Sequence, residues 1–412
     1  MKINIQDRNK RNENNSSFSS LFVGDFCPRH ESGEYIADGN SKAIMSNSLK
    51  DIFEKTLSVI NLEAPLTNNN NPIPKSGPNI KLFPECIDFL NKTKVDVANI
   101  ANNHIGDFGP EAVKDTMEIL KRNKVNYVGA GDNLKDAQKA LYLTKNNIKI
   151  GFLAFAENEF GIARKNKPGS SPLDPPVNFN KIRQVSSNSD ITIVLIHGGN
   201  EYNPVPSPRM VKTYRGFVDS GADAVIGTHP HCPQGYEIYK DSPIFYSLGN
   251  FLFDAPENNN KSNLWWKSYM VKIEFNKTGA VNFKIIPFKF IQDKKRINIL
   301  KKTNKSDFVD YIKYISKIIK QEEKLNNYWL GWCAMHGPDW LNYIKDLDWP
   351  CDIDDKKVFQ NILGARNAFS CEAHNELLTT FLKMMVRDQI KTGEEYIPEI
   401  KKLQKEIIPD YE

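Results

Sequence analysis

From Leu21 to about Ile291, short apolar runs alternate with stretches whose apolar residues recur every three to four positions. The runs Leu21–Gly24, Ser58–Leu62, Val95–Ile100, Ile148–Ala154, Asp190–His197, Ala224–Gly227 and Ile244–Ser247 have strand length and predict strands. Tyr269–Phe275 and Val281–Phe290 flank Asn276-Lys277-Thr278-Gly279 and predict a hairpin. Pro110–Arg122, Asn133–Leu141 and Pro208–Ser220 predict helices. A proline suits the first helical turn, where its missing N–H would have no partner anyway. Gly221 suits the cap after the last of them. Thr67–Pro84, rich in Asn and Pro, predicts an exposed loop. Strands alternating with helices indicate an α/β domain.

After about residue 300 the strand-like runs vanish. Phe308–Leu325, Lys356–Ile390 and Glu394–Ile408 carry helical periodicity. The expected organisation is a flexible polar tail over 1–17, one α/β domain over 18–292, and an all-α region over 293–412. The basic, polar stretch 293–304 reads as the linker between the last two.

Composition narrows the class. With 412 residues, 40% hydrophobic and 25% charged, the chain can bury a large core without disulfides or a structural metal. Collagen, wholly disordered and disulfide-scaffold classes are excluded. A net charge of +5 without a concentrated basic stripe argues against a nucleic-acid partner. Cys27, Cys86, Cys232, Cys333, Cys351 and Cys371 are scattered, with no CxxC pair, so a zinc ribbon is excluded. They read as reduced thiols. The N-terminus lacks the apolar core of a signal peptide, and no run approaches the roughly 18 apolar residues of a spanning helix. The expectation is a cytoplasmic chain without a transmembrane segment.

Candidate chemistry sits at the strand ends. Asp25, Glu63, Asn103 with His104, His197, and His229 with His231 each follow a predicted strand. Ligands of α/β sheets bind outside the carboxyl ends of strands. Taken singly, each residue has a plain structural reading. Asp25 suits a turn or cap. Glu63 and Asn103 suit strand-end hydrogen bonds. His197 suits a buried, hydrogen-bonded imidazole. His104 suits the core or the surface, and His229 and His231 suit a solvated loop. Five such coincidences together are a two-metal constellation. Carboxylates mixed with imidazoles favour two divalent ions of Mn, Fe or Zn over Ca.

The motifs Val23-Gly24-Asp25, Asn61–Pro65 (NLEAP), Ala101–Gly109 (ANNHIGDFG), Gly129–Gly131 (GAG), His197–Tyr202 (HGGNEY), Gly221–His231 (GADAVIGTHPH) and Tyr246–Phe251 (YSLGNF) occur in that order. In this the chain resembles the CapA family of capsule and poly-γ-glutamate biosynthesis, which is similar in fold to calcineurin-like metallophosphoesterases. The resemblance covers roughly residues 20–255. It implies a metallophosphatase-like four-layer α/β/β/α double-sheet sandwich, here followed by the all-α extension. It also implies that Glu63 bridges two metals. Asp25 and His231 would complete one of them, and Asn103, His197 and His229 the other. His104 would give a proton to the leaving oxygen, beside Asn103 and Asp25 in the catalytic set.

The first motif departs from the phosphoesterase pattern, with Asp25-Phe26-Cys27 where Asp-x-His is usual. Cys27 is a thiolate ligand or a packed thiol; Arg29 or His30 fills the place by contacting substrate. Glu201, Asn250 and Asp107 are expected to steady a ligating histidine or to touch substrate. The plain reading of Glu201 is a salt-bridged loop residue. The implied activity is hydrolysis of a phosphate ester in making or processing a cell-surface polymer. The substrate would be an anionic small molecule or polymer, held by metals. A non-catalytic assembly or carrier-binding subunit, partnered by a capsule-biosynthesis protein, is the alternative. Amide ligation or cleavage on a poly-γ-glutamate-like chain is a third reading. No G-x-x-x-x-G-K loop is present, which counts against ATP-driven ligation.

Trp329, Trp332, Trp340 and Trp349, with Tyr328 and Tyr343, crowd the helical region. They pack it onto the α/β domain, or form an aromatic wall for a sugar or a partner protein. His374, with Leu378 and Phe381 nearby, reads as a core or interface residue. His30 and His336 carry no signal of their own.

Overall fold

The structure is a computed structural model that describes residues 1–5, 16–255, 263–345, 347 and 350–405. Its strands are β1 (Lys2–Asn4), β2 (Ser17–Cys27), β3 (Leu57–Leu62), β4 (Val97–Asn99), β5 (Asn126–Val128) and β6 (Ala130–Gly131). Then follow β7 (Leu141–Lys145), β8 (Ile148–Ala156), β9 (Gly169–Ser170), β10 (Ile191–His197), β11 (Ala224–Thr228) and β12 (Tyr236–Tyr239). The last are β13 (Ser242–Phe245), β14 (Asn250–Phe253), β15 (Lys267–Asn276), β16 (Gly279–Ile291) and β17 (Arg296–Ile299).

Two large sheets form. The first has the order β1-β16-β15-β2-β3-β4-β5, with β14 also on β2 and β17 on β16. The second has the order β12-β13-β11-β10-β8-β7. Within them β2, β3, β4 and β5 run parallel, as do β8, β10, β11 and β13.

Neighbouring strand residues point to opposite faces, and the core divides accordingly. Phe22, Val59 and Val97 join one apolar cluster with Phe152, Val194 and Val225 of the second sheet. Leu21, Ile60 and Ala98, each one position away, join another. That one is filled by Leu49, Phe89 and Val113 of the helices Asn47–Glu54, Ile87–Lys92 and Gly109–Arg122. Ile182 and Phe217 bring the helices Pro175–Ser186 and Pro208–Asp219 to the second sheet. The result is the expected four-layer α/β/β/α sandwich.

Among the described residues beyond 300 the elements are helices: Lys302–Ile319, Glu322–Lys345, Lys356–Ser370, Glu372–Val386, Ile390–Glu394 and Ile397–Lys405. This region shares the sandwich core, because Tyr311, Ile315 and Trp332 belong to the same cluster as Val194. Polar contacts pin it as well. Arg209 reaches Glu157 at 2.5 Å and Glu376 at 3.0 Å. Glu372 accepts from the backbone N–H of Asn158 at 2.7 Å.

Several expectations need correction. Lys2–Asn4, read as part of a flexible tail, pair antiparallel with β16; residues 6–15 of that tail lie outside the described residues. Arg296–Ile299, read as linker, form β17. The loop 67–84 is not simply exposed: Thr67, Lys75, Ile80 and Leu82 are buried. The helix expected over Asn133–Leu141 is only Leu134–Ala137, because Leu141 opens β7. Lys356–Ile390 is broken at Cys371, whose backbone is extended. Residues 406–408, expected to end the last helix, lie outside the described residues, as does Trp349.

Candidate metal centre

The parallel strands of the two sheets deliver their carboxyl ends to one place. Asp25 lies near the end of β2, Glu63 just past β3, and Asn103 and His104 shortly after β4. His197 is the last residue of β10, and His229 follows β11. A tight crossing sets the position of Asp25. A Cβ on Gly24 would lie 1.7 Å from the carbonyl oxygen of Gly249, so β2 and β14 approach as only glycine allows. The Asp25 N–H donates to that same oxygen at 3.1 Å.

The turn at Pro230 is made by its neighbours. His229 and His231 both have positive φ, 97° and 54°. Non-glycine residues seldom adopt this conformation, and it collects at functional sites. It brings both rings to one cluster, with centroids 5.8 Å apart.

All six expected ligands are buried together. One donor atom each from Glu63, His229 and His231 lies within 4.8 Å of the others, and the same holds for Asp25, Glu63 and His197. Glu63 is common to both sets. His231 sits 3.5 Å from Asp25 and 3.4 Å from Glu63. His197 lies 3.0 Å from Asn103 Oδ1, 3.1 Å from His229 and 3.7 Å from Glu63.

The electrostatics fit a cation. Glu63 is fully buried, and neither carboxylate oxygen has a hydrogen-bond donor. Burial, then the charge of Asp25, push its pKa well above the usual carboxylate range. A buried carboxylate facing another, with no donor, is costly unless positive charge lies between them. Burial, then neighbouring imidazoles, push His197 well down, favouring the neutral ring that ligates metal. For His231 burial acts downward, but the hydrogen bond and charge of Asp25, with Glu201, carry it upward. His231 Nδ1 meets Asn250 Oδ1 at 2.9 Å, which holds the ring with Nε2 toward Glu63.

The other expected residues fall around this group. His104 is outside both ligand sets. Its Nδ1 meets Asp107 at 2.7 Å, and Asp107 also accepts from the Lys75 ammonium at 2.7 Å. Burial, then Lys75, lower the His104 pKa. Cys27 is also outside both sets, in the apolar cluster beneath the helices. Burial, then Glu63, push its thiol well up. Arg29 is half-buried, 5.7 Å over the ring of Phe253. Glu201 is exposed on the rim of an adjoining cavity.

Three residues that matter here were not singled out from sequence. Asn61 donates to Asp25 at 2.8 Å and meets His197 Nδ1 at 3.1 Å. It lies two positions before Glu63, hence on the same side of the strand, which was a readable signal. Glu159 accepts from Asn103 Nδ2 at 2.6 Å. It follows β8 as the other candidates follow their strands, so the same rule would have found it. Lys75 had no local signal, since it lies in a segment that reads as loop.

Comparison with known proteins follows the same residues. The family model described as "Bacterial capsule synthesis protein PGA_cap" matches residues 19–255. "Capsule biosynthesis protein CapA" of Bacillus anthracis is 34% identical over 236 residues, 55% of this chain and 56% of that protein. "PGA biosynthesis protein CapA" of Bacillus subtilis is 34% identical over 206 residues, 49% of this chain and 53% of that protein. A "probable polyglutamine synthesis accessory protein" of Mycobacterium tuberculosis is 27% identical over 229 residues, 52% and 59% of the two chains. The match thus spans little more than half the length of each relative.

Proposed function

This chain belongs to the bacterial capsule synthesis protein PGA_cap family, and from that premise we propose that it is a dimetal-dependent phosphoesterase. Its substrate would be anionic and belong to the making or processing of a capsule or other cell-surface polymer. One observation carries the reading: Glu63, buried with two unpartnered oxygens, is common to two sets of donor atoms.

Asp25, Glu63, Asn103, His197, His229 and His231 would hold two ions of Mn, Fe or Zn type. Such ions supply Lewis acidity toward a phosphoryl oxygen and toward water. The chain's own residues do the rest. Asn61 and Asn250 hold Asp25 and His231 in place. His104, steadied at Nδ1 by Asp107, gives a proton to the leaving oxygen. The unpaired state of all six cysteines supports a cytoplasmic setting. Among the described residues no helix is long and apolar enough to cross a membrane.

The test is metal analysis of protein purified without chelators, alongside phosphatase assays. About two transition-metal ions per chain are expected. Asp25→Ala, Glu63→Ala and His229→Ala should abolish hydrolysis. Protein without transition metal would sink the reading. The accessory role in the printed name of the mycobacterial relative favours a second reading, a non-catalytic subunit binding a partner of the capsule system. A folded His104→Ala variant that keeps full function in cells would favour that one.

A further inference from the structure

Beside the metal centre lies a cavity of about 310 Å³, at the low end of the range for small-molecule sites. Its walls come from four places: the loop at Ser76, Glu159 after β8, the loop at Asn200–Tyr202, and the helices beyond residue 322. The helices lie outside the part of the chain that the family model matches.

Residues that line the cavity carry unpartnered polar atoms. Trp332 Nε1, His374 Nδ1, Asn200 Oδ1 and Asn367 Oδ1 are buried and make no hydrogen bond, and all four residues line it. Their residues are only 3%, 8%, 5% and 3% exposed. Buried polar groups are ordinarily satisfied, so a cluster of exceptions on one cavity calls for a ligand. The set is mixed. An indole N–H only donates and an amide oxygen only accepts. The matching ligand must therefore both donate and accept, as hydroxyl groups do.

Charge and shape narrow it further. Glu159 and Glu201 line the cavity, and among the described residues no Lys or Arg does. A polyanion such as a γ-glutamyl chain is repelled from it. Trp340, stacked on His374 with centroids 4.0 Å apart, and Tyr343 bring aromatic rings to the wall. A pyranose presents a C–H face to such rings and hydroxyls around its edge.

We propose that this cavity is a glycosyl subsite, holding one uncharged pyranose ring of the substrate. Glu159 joins it to the centre, taking Asn103 on one carboxylate oxygen at 2.6 Å and Asn367 on the other at 3.1 Å. A ring bound here directs a phosphate substituent toward Asn103. That last step rests on the phosphoesterase reading; the binding of the ring does not. The helical extension thereby selects the substrate of this chain.

The experiment is saturation-transfer NMR on the full chain, both metal-loaded and chelated. The probes are glucose, N-acetylglucosamine, UMP and tri-γ-glutamate, each at about 20 mM. At least one pyranose should bind in both states, and tri-γ-glutamate should not. Trp340→Leu, which keeps apolar bulk, and Asn367→Ala should each weaken pyranose binding roughly tenfold, with unchanged circular dichroism. Absence of pyranose binding, binding of UMP alone, or full pyranose binding by both folded variants would overturn the proposal. Pyranose binding without any phosphatase activity would overturn only the reading of the centre.

Discussion

Glu159 accepts a hydrogen bond from the Asn103 side chain at 2.6 Å, and this orients Asn103 with its oxygen 3.0 Å from His197. The carboxylate fixes which end of the amide faces the other candidate ligands. Burial opposes its charge, but His374, His229 and Lys75 hold its pKa down at about 2. Glu159→Ala should free the amide to turn and lower metal affinity by about 10- to 100-fold, as loss of a ligand's own support usually does. Titration of chelated protein with Mn or Zn measures it. Unchanged affinity would mean that Asn103 is held some other way.

Glu63 should trade stability for metal. Glu63→Gln removes a buried carboxyl group next to Asp25. In chelator its melting temperature should equal or exceed that of the wild type. With metal added, the wild type should gain stability by binding linkage and the variant should not. Thermal scans in both conditions decide it. An equal metal-induced gain in both proteins would remove Glu63 from the centre.

The crossing at Gly24 tolerates no side chain. Its Cβ would fall 1.7 Å from a backbone oxygen rather than from a flexible side chain. Gly24→Ala should cost about 3 kcal/mol or more, or prevent folding. Denaturant melts test this, and a loss near zero would contradict the close approach.

Arg209 ties the helical region to the sandwich. It pairs with Glu157 and Glu376, whose side chains are 6% and 14% exposed. Arg209→Ala leaves two largely buried carboxylates without their cation, a loss on the order of 3 kcal/mol. Limited proteolysis should then cut within 320–405 faster than in the wild type. An unchanged cleavage pattern would show that apolar packing alone holds the helices.

Asp223 sets a pH dependence away from the centre. Burial raises its pKa to about 6, against the opposing hydrogen bond from the Thr192 N–H. The ionised form is therefore the one the fold disfavours. Stability contributed by the protonated form is present below about pH 4 and is lost as pH climbs through about 6. Asp223→Asn keeps an acceptor for Thr192, 2.8 Å away in the wild type. It should be the more stable protein at pH 8, and its advantage should vanish at pH 4. Melting temperatures at the two pH values check this; an equal advantage at both would refute it.

Much of this molecule is written locally. The apolar runs Ile148–Ala154 and Ile191–Ile196 have strand length and little choice but a doubly covered sheet. Polar residues directly after such strands mark where a site can form, and Asp25, Glu63 and His197 were readable for that reason. Short-range rules failed where distant packing overrode local composition. Lys2–Asn4 looked like a loose tail until β16 offered an open edge. Lys75 looked solvated until Asp107 and His104 gave its ammonium buried partners.

The sequence by itself determined the alternation of strands and helices, the family motifs, and the residue types available for metal chemistry. Tertiary structure alone decided that Glu159 would stand between Asn103 and Asn367. It also decided that helices beyond residue 322 would wall a cavity beside the centre. Glu159 and Asn367 lie 208 positions apart, and no periodicity reaches that far. Periodicity records which face of an element is buried; only the packed chain settles what is buried against it.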